Sequence, residues 1–246
     1  NSGGNSNFAA GYKAIFNNKT GCNNFSQGYC SLYANICGCD NVAIGYQALA
    51  SNTCGSNSIA IGYQALYAST VSYGNVGLGC KSLCSTTTGA YNVGIGQLTL
   101  AFNTTGSTNT AIGPNALQSN TFGCNNVAIG AATLIGNTTG SDNIAVGLNS
   151  NTKNTTGSCN VSLGWNSLVC NTTDSNLVAV GSRSLLYHCV AGNSYNVAIG
   201  FDSLRGYNYY SGQQGVRNTA VGSGALASTS SGNYNAAVGS MSLVMV

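Results

Sequence analysis

Charge is nearly missing from this chain. Only 4% of its 246 residues are charged, against about 25% in an ordinary soluble domain. The acids are all Asp, so Glu is absent, and Lys and Arg together number 7. With those helix formers so scarce, helix is not expected. A net charge of +3 with no basic run leaves nothing to neutralise phosphates, which excludes nucleic-acid binding. No run of about 18 apolar residues occurs, which excludes membrane insertion by a spanning helix. No charged segment leading into an apolar one opens the chain. It begins at Asn1 without Met, so a processed chain or a segment of a longer one is expected. There is one Pro and one His.

The scarcity of acid–base groups bears on chemistry, since catalysis needs a convergent acid, base or nucleophile. His188 stands beside Tyr187 and Cys189 without forming a triad pattern. Asp40, Asp142, Asp174 and Asp202 form no recurring carboxylate pair. No phosphate loop or dinucleotide fingerprint is present, and Gly-x-Gly pairs such as Gly77 and Gly79 belong to a repeat. The expectation is a chain that is not an enzyme, with no catalytic residue, cofactor or metal.

Asn, Gly, Ser, Thr and Tyr are abundant, and they favour turns and strands. They fall in a strict frame. The segment Asn41-Val-Ala-Ile-Gly-Tyr-Gln-Ala-Leu49 recurs along the chain. Its Gly stands at Gly11, Gly28, Gly45, Gly62, Gly79, Gly96, Gly113, Gly130, Gly147, Gly164 and Gly181, each step being 17 residues. Gly200, Gly222 and Gly239 follow at steps of 19, 22 and 17, giving fourteen copies with two insertions. With this Gly as position 0, position −4 is Asn in twelve copies, Ser58 and Leu177 excepted. Position −2 is always Ala, Gly or Ser, and +3 always Ala, Ser or Thr. Position −1 is Ile, Val or Leu in twelve copies, and +4 is Leu or Ile in all but Asn151. Position −7 is Gly in eleven.

Seventeen residues are too few for a helical repeat and enough for one turn of a solenoid. The sequence predicts an all-β chain, a parallel β-solenoid (β-roll) of about fourteen 17-residue coils, forming a single repeat domain over 1–246. One strand is expected at −4 to −1 and a second at +1 to +4, with Gly corners at −7 and 0. Stacked at about 4.8 Å, fourteen coils give a rod roughly 67 Å long. The −1, −3 and +4 ladders are expected inside. The small −2 ladder is expected outside, where another backbone would pack closely in a homo-oligomer. The −4 Asn ladder is expected to stack amide on amide.

These residues resemble a known pattern. The core N-V-A-I-G-x-x-A is similar to the head repeat of trimeric autotransporter adhesins. The longer form Asn109-Thr-Ala-Ile-Gly-Pro-Asn-Ala-Leu117, with Asn-Thr-Thr-Gly links, resembles repeats of phage and large-virus tail-fibre-like surface proteins. The resemblance covers residues 4 to 243. It implies a surface fibre or adhesin, usually trimeric. The present repeat is longer than that of adhesin heads, and the eleven Cys are foreign to them.

Those Cys lack zinc spacing but follow the frame. Cys22 and Cys39 share position −6 in adjacent coils, and Cys37 and Cys54 share +9. Adjacent in-phase residues lie within bridging distance, so Cys22–Cys39 and Cys37–Cys54 are expected disulfides. Cys170 and Cys189 straddle the first insertion and are a third candidate pair. Eleven Cys in a polar chain suggest an oxidising compartment. Sequons occur at Asn18, Asn24, Asn103, Asn137, Asn154, Asn160 and Asn171. Five of them share position +7, which predicts either a stripe of N-linked glycans along one edge or a polar Asn-Thr-Thr turn.

The second insertion lies within Arg205–Arg217, where Arg205, Tyr207, Tyr209, Tyr210 and Arg217 are candidates for binding a surface glycan or protein receptor. An ordinary bulge loop is the competing reading. The +1 ladder Tyr12, Tyr29, Tyr46 and Tyr63 reads as a structural stripe. No polar caps are recognisable and the chain ends on Leu243-Val-Met-Val246, which suggests end-to-end stacking. The leading expectation is an extracellular structural fibre or filament subunit on a cell or virion surface, partnered by itself as a homotrimer or filament. The second is a trimeric adhesin or receptor-binding fibre head. A minor third is ice binding, for which the Thr pairs sit at corners rather than on a flat face.

Overall fold

The computed structural model describes residues 3–189, 192–206, 215–228 and 232–243. It is an all-β parallel β-solenoid in which each coil contributes one three-residue strand, with no helix among the described residues. The chain divides into two compact units, Asn1–Phe122 and Gly123–Val246. In the first, β1 (Phe8–Ala10), β2 (Phe25–Gln27), β3 (Val42–Ile44), β4 (Ile59–Ile61), β5 (Val76–Leu78), β6 (Val93–Ile95) and β7 (Thr110–Ile112) pair in sequence order. Register follows the frame: Val42 faces Ile59 and Ala43 faces Ala60.

In the second unit, β8 (Val127–Ile129), β9 (Ile144–Val146), β10 (Val161–Leu163), β11 (Val178–Val180), β12 (Val197–Ile199), β13 (Thr219–Val221) and β14 (Ala236–Val238) do the same. The two insertions leave this register intact, with Val178 opposite Val197 and Val197 opposite Thr219.

The strand stops at position 0 for a steric reason. Gly45 has φ +129°, and a Cβ there would lie 2.5 Å from the carbonyl oxygen of Gly62 in the next coil. The segment at +1 to +4 is not the second strand that the sequence predicts. It alternates into the left-handed region at +2 and +4, as at Gln47 (φ 54°) and Leu49 (φ 51°). It still bonds coil to coil: the Gln47 N–H donates to Tyr29 O at 2.9 Å and the Leu49 N–H to Ala65 O at 3.0 Å. A left-handed non-Gly residue costs about 1–2 kcal/mol. Burial of a Leu side chain returns about 1.5–3 kcal/mol. Leu at +4 is fully buried, as at Leu49, Leu66, Leu117 and Leu168, so burial offsets the strain at that position.

The strand faces are the reverse of the expected ones. Position −2 points inward: Ala43, Ala60, Ala111, Ala145 and Ala198 are fully buried. Positions −3 and −1 point outward: Ile59 and Ile61 are 38% and 39% exposed. The coil is too thin for β-branched residues to face the Leu ladder. Even at Gly77, a Cβ would come within 3.3 Å of Leu66 Cγ. Only Ala, Ser or Gly fits.

Asn151 breaks the Leu ladder. It is fully buried, and neither its Oδ1 nor its Nδ2 has a partner. Asn151→Leu is expected to stabilise the second unit by about 1–3 kcal/mol, because it removes an unpaired buried amide and completes the ladder. Urea titration checks this; an unchanged or lowered midpoint would count against the packing described.

Candidate functional site

The described residues bring no group of three metal-ligating side chains together. The lone His is committed elsewhere. His188 is fully buried, and its Nε2 lies 2.6 Å from Asp174 Oδ2. Asp174 also accepts bonds from the Ser194 hydroxyl, the Ser194 N–H at 3.0 Å and the Ser175 N–H at 2.8 Å. Burial pushes the Asp174 carboxyl up, but the bonds from His188 and Ser194 and the nearby His188 charge outweigh it. The group is held below the ordinary carboxylate value. Asp174 stands at a −7 position and His188 at a +7 position, so the pair replaces the Gly and Asn of other coils. The sequence lacks any signal for this cluster except those two departures.

The outer strand face carries the strongest surface feature. Ile59, Ile61, Ile95 and Ile112 of the first unit are each more than a third exposed. Ile129, Ile144 and Ile199 repeat the pattern in the second. No charged residue occupies −3 or −1 in any copy. Parallel sheets are normally covered on both faces. Here one face packs on the coil's own Leu ladder and the other meets solvent.

The polar interior includes two amide ladders. At −4, Asn41 Nδ2 donates to Asn24 Oδ1 at 3.1 Å and to Gly55 O at 2.9 Å, while Asn41 Oδ1 accepts from the Ser58 N–H at 3.0 Å. At +7, Asn35 Nδ2 donates to Asn18 Oδ1 and Asn52 Nδ2 to Asn35 Oδ1, both at 2.8 Å. Of the two alternatives for the +7 Asn, this second ladder is the polar turn. All seven sequon Asn are buried. Their amide nitrogens donate to carbonyl oxygens: Asn18 to Gly21, Asn24 to Gly38, Asn103 to Gly106, Asn137 to Gly140 and Asn154 to Gly157. Asn160 and Asn171 both donate to Asp174 O. A glycan would have to leave from an amide nitrogen that is buried in every case, so the folded coil presents none of the seven to solvent. The signal was present in the exchange of +7 Asn only for Ser69, Thr86 and His188 among coils with described +7 residues, all hydrogen-bonding side chains.

Of the two expected disulfides and the third candidate pair, one is formed. Cys37 and Cys54 are bonded, with Cα atoms 4.8 Å apart. Cys22 and Cys39 are separate thiols. Their position uses the side chain otherwise: Cys39 Sγ accepts from the Cys22 N–H at 3.1 Å and donates to Cys37 O at 3.6 Å. Ser141 and Ser158 make the same pair of bonds at the same phase. Thiol stands in for hydroxyl there. Cys170 and Cys189 are also unbridged. Burial first, then the charge and hydrogen bond of Cys189, push the Cys170 thiol up to about 12.

The proposed binding loop is only partly in view. Tyr207, Tyr209 and Tyr210 lie outside the described residues. Arg205 Nη1 pairs with Asp202 Oδ2 at 3.6 Å, and Asp202 Oδ1 lies 2.9 Å from Arg183 Nε. Arg217 stacks instead between Tyr195 and Tyr234, 5.8 and 5.5 Å from their ring centroids, and donates to Tyr234 Oη at 2.8 Å. The two arginines thus serve different stacks. A hollow of about 230 Å³ in the second unit is lined by residues that include Phe201, Asp202, Arg205 and Met241. Sequence reasoning pointed to Arg205 but missed the hollow, which opens where the residues at +1 and +2 shrink to Ser223 and Gly224.

The +1 tyrosines of the first unit form a continuous stack. Tyr12–Tyr29, Tyr29–Tyr46 and Tyr46–Tyr63 have ring centroids 5.1, 5.2 and 5.3 Å apart and interplanar angles of 17°, 6° and 9°. Compared with family models, curated proteins and solved structures, the chain matches none of them.

Proposed function

We propose that this chain is a structural fibre or filament subunit of a cell or virion surface that assembles by lateral packing of its outer strand face against further copies of itself. The observation that supports this most is the uncharged, mainly Ile/Val ladder at −3 and −1, whose isoleucines are solvent-exposed in the single chain. A second copy is the favoured occupant because the ladder repeats at the same phase of every coil and carries no charge in any of them. Ladders with one coil spacing match each other at any copy-to-copy register of whole coils. The resemblance to adhesin heads and tail-fibre-like repeats agrees with such a role, as does an intercoil disulfide in a chain with almost no charge. The hollow at Phe201, Asp202 and Arg205 favours a second reading, a receptor-binding fibre head that takes a surface glycan there; a glycan array tests it.

Sedimentation of the purified chain tests the leading reading. The wild type is expected to sediment as an oligomer. Ile61→Asp with Ile95→Asp places carboxylates on the outer face, where copies would oppose like charges at a cost of several kcal/mol. Self-association is expected to weaken by ~100-fold or more, at one tenfold step per 1.4 kcal/mol. Circular dichroism should be unchanged, since both side chains point outward. A wild type that stays monomeric at micromolar concentration would sink the proposal.

A further inference from the structure

We infer that the stacked tyrosines Tyr12, Tyr29, Tyr46 and Tyr63 are a site of oxidative cross-linking, where neighbouring phenols of one chain join into dityrosine and staple adjacent coils. Two observations carry this. The four rings occupy the same phase of successive coils and stack nearly parallel at 5.1 to 5.3 Å. They are open to solvent, at 59%, 47%, 44% and 46% exposure, so a diffusible oxidant reaches them. Two titratable neighbours stand at one end of the stack: Lys13 Nζ lies 5.3 Å from the Tyr12 ring centroid, and the Cys30 thiol acts on Tyr29.

The chemistry follows from the register. One-electron oxidation of a tyrosine removes an electron and the hydroxyl proton, leaving a phenoxyl radical with unpaired spin on the ring carbons ortho to oxygen. In-register stacking sets the same edge of each ring beside that of its neighbour. Two such radicals form one carbon–carbon bond between ortho positions. The hydrogen on each joined carbon leaves as a proton, and each oxygen regains one, restoring two phenols. The oxidant is a peroxide acting with a haem peroxidase: hydrogen peroxide takes up the two electrons and two protons and is reduced to two molecules of water. Coupling within the stack has the rate advantage of reactants held together, which reaches many orders of magnitude in rigid systems. The small turns needed to bring ortho carbons into contact are available to side chains about half exposed. The product would complement the Cys37–Cys54 bridge, which already ties the second coil to the third. The inference does not depend on how copies pack.

The test treats the full chain with horseradish peroxidase and limiting hydrogen peroxide. Iodoacetamide is added first, because exposed Cys80 holds the next +1 position and its thiol would quench a radical on the stack. Dityrosine fluorescence gives the yield, and mass spectrometry of digested, cross-linked peptides gives the sites. The expected result is a two-hydrogen mass loss joining Tyr12 to Tyr29, Tyr29 to Tyr46 or Tyr46 to Tyr63, in material that remains one chain on a denaturing gel. Tyr29→Phe with Tyr46→Phe keeps the rings stacked but separates the remaining phenols. The yield is then expected to fall at least ~10-fold as proximity is lost. Tyr91→Phe with Tyr234→Phe, at other exposed tyrosines, should leave it unchanged. Cross-links mapping mainly to tyrosines outside the stack, a yield that survives the Tyr29/Tyr46 double change, or predominantly chain-to-chain products would each overturn the inference.

Discussion

Asp174→Ala is expected to lower the stability of the second unit by about 3–5 kcal/mol, the range for breaking a buried polar pair by removing one partner. The change takes one acceptor from four donors at once: His188 Nε2, the Ser194 hydroxyl and the N–H groups of Ser194 and Ser175. Hydrogen exchange over 171–189 and 192–199 reads the effect locally, and unaltered protection there would refute it. The double change Asp174→Gly with His188→Asn restores the residues most coils carry at −7 and +7. It should recover part of the loss and not all. In regular coils the N–H at −6 donates to the −6 side chain of the next coil, as Cys39 does to Ser56 Oγ at 3.0 Å. For Ser194 that partner position is Val216, which has no acceptor in its side chain. Asp174 supplies the acceptor that Val216 lacks.

The same carboxylate sets a pH dependence. Its pKa is lower in the fold than in the unfolded chain, where it is about 3.9. A depressed carboxyl contributes stability that is fully present above the unfolded value. The contribution is lost as pH falls from there through the folded value. The second unit should therefore lose protection in that acid window, and the Asp174→Ala chain should lose less over the same range.

The frame and the strand position were legible in the sequence because stacking turns each phase of the coil into a visible ladder. The Leu ladder at +4 was legible for the same reason. Which strand face points inward was not. Alternation fixes only that −2 opposes −1 and −3, and hydrophobicity then favours placing Ile and Val inside. The deciding quantity is the thickness of the coil, which leaves room for Ala but not Val opposite Leu66 or Leu83. An invariably small −2 was the available clue. The left-handed residues at +2 and +4 were also hidden, since Gln47, Leu49 and Lys81 are not residue types that announce φ near +50°. Tertiary burial and bonds between coils select that conformation over the local preference for a strand. By spacing alone the Cys at −6 read as bridging pairs. The alternation of Cys with Ser at that phase marks a side chain wanted for its hydrogen bonds. For the candidate site, the composition of the outer ladder was plain in the sequence, but its exposure was not.

Gly45→Val is expected to disrupt the stacking of β3 on β4 and to cost about 4 kcal/mol or more, a size reserved for a few mechanisms. Two of those mechanisms coincide here. The backbone at φ +129° is one that side-chain-bearing residues rarely adopt, which alone costs about 1–3 kcal/mol. The new Cβ would also stand 2.5 Å from Gly62 O and 2.8 Å from Gly62 C. Those are backbone atoms of the neighbouring coil, so nothing local can swing aside, and relief requires the coils to separate. Gly74→Ala is the contrasting case in the same unit. Gly74 has φ +64°, a conformation that Asn23, Asp40 and Asn57 adopt at the same phase of other coils. Its Cβ would meet the Tyr91 ring at 2.7 Å, and that side chain is two-thirds exposed and free to rotate away. The left-handed strain then remains as the main cost, about 1–2 kcal/mol. Urea unfolding of the two variants side by side should therefore separate them by at least ~2 kcal/mol, the difference between these two costs. Equal losses would mean that the close approach of successive Gly corners does not govern where each strand ends.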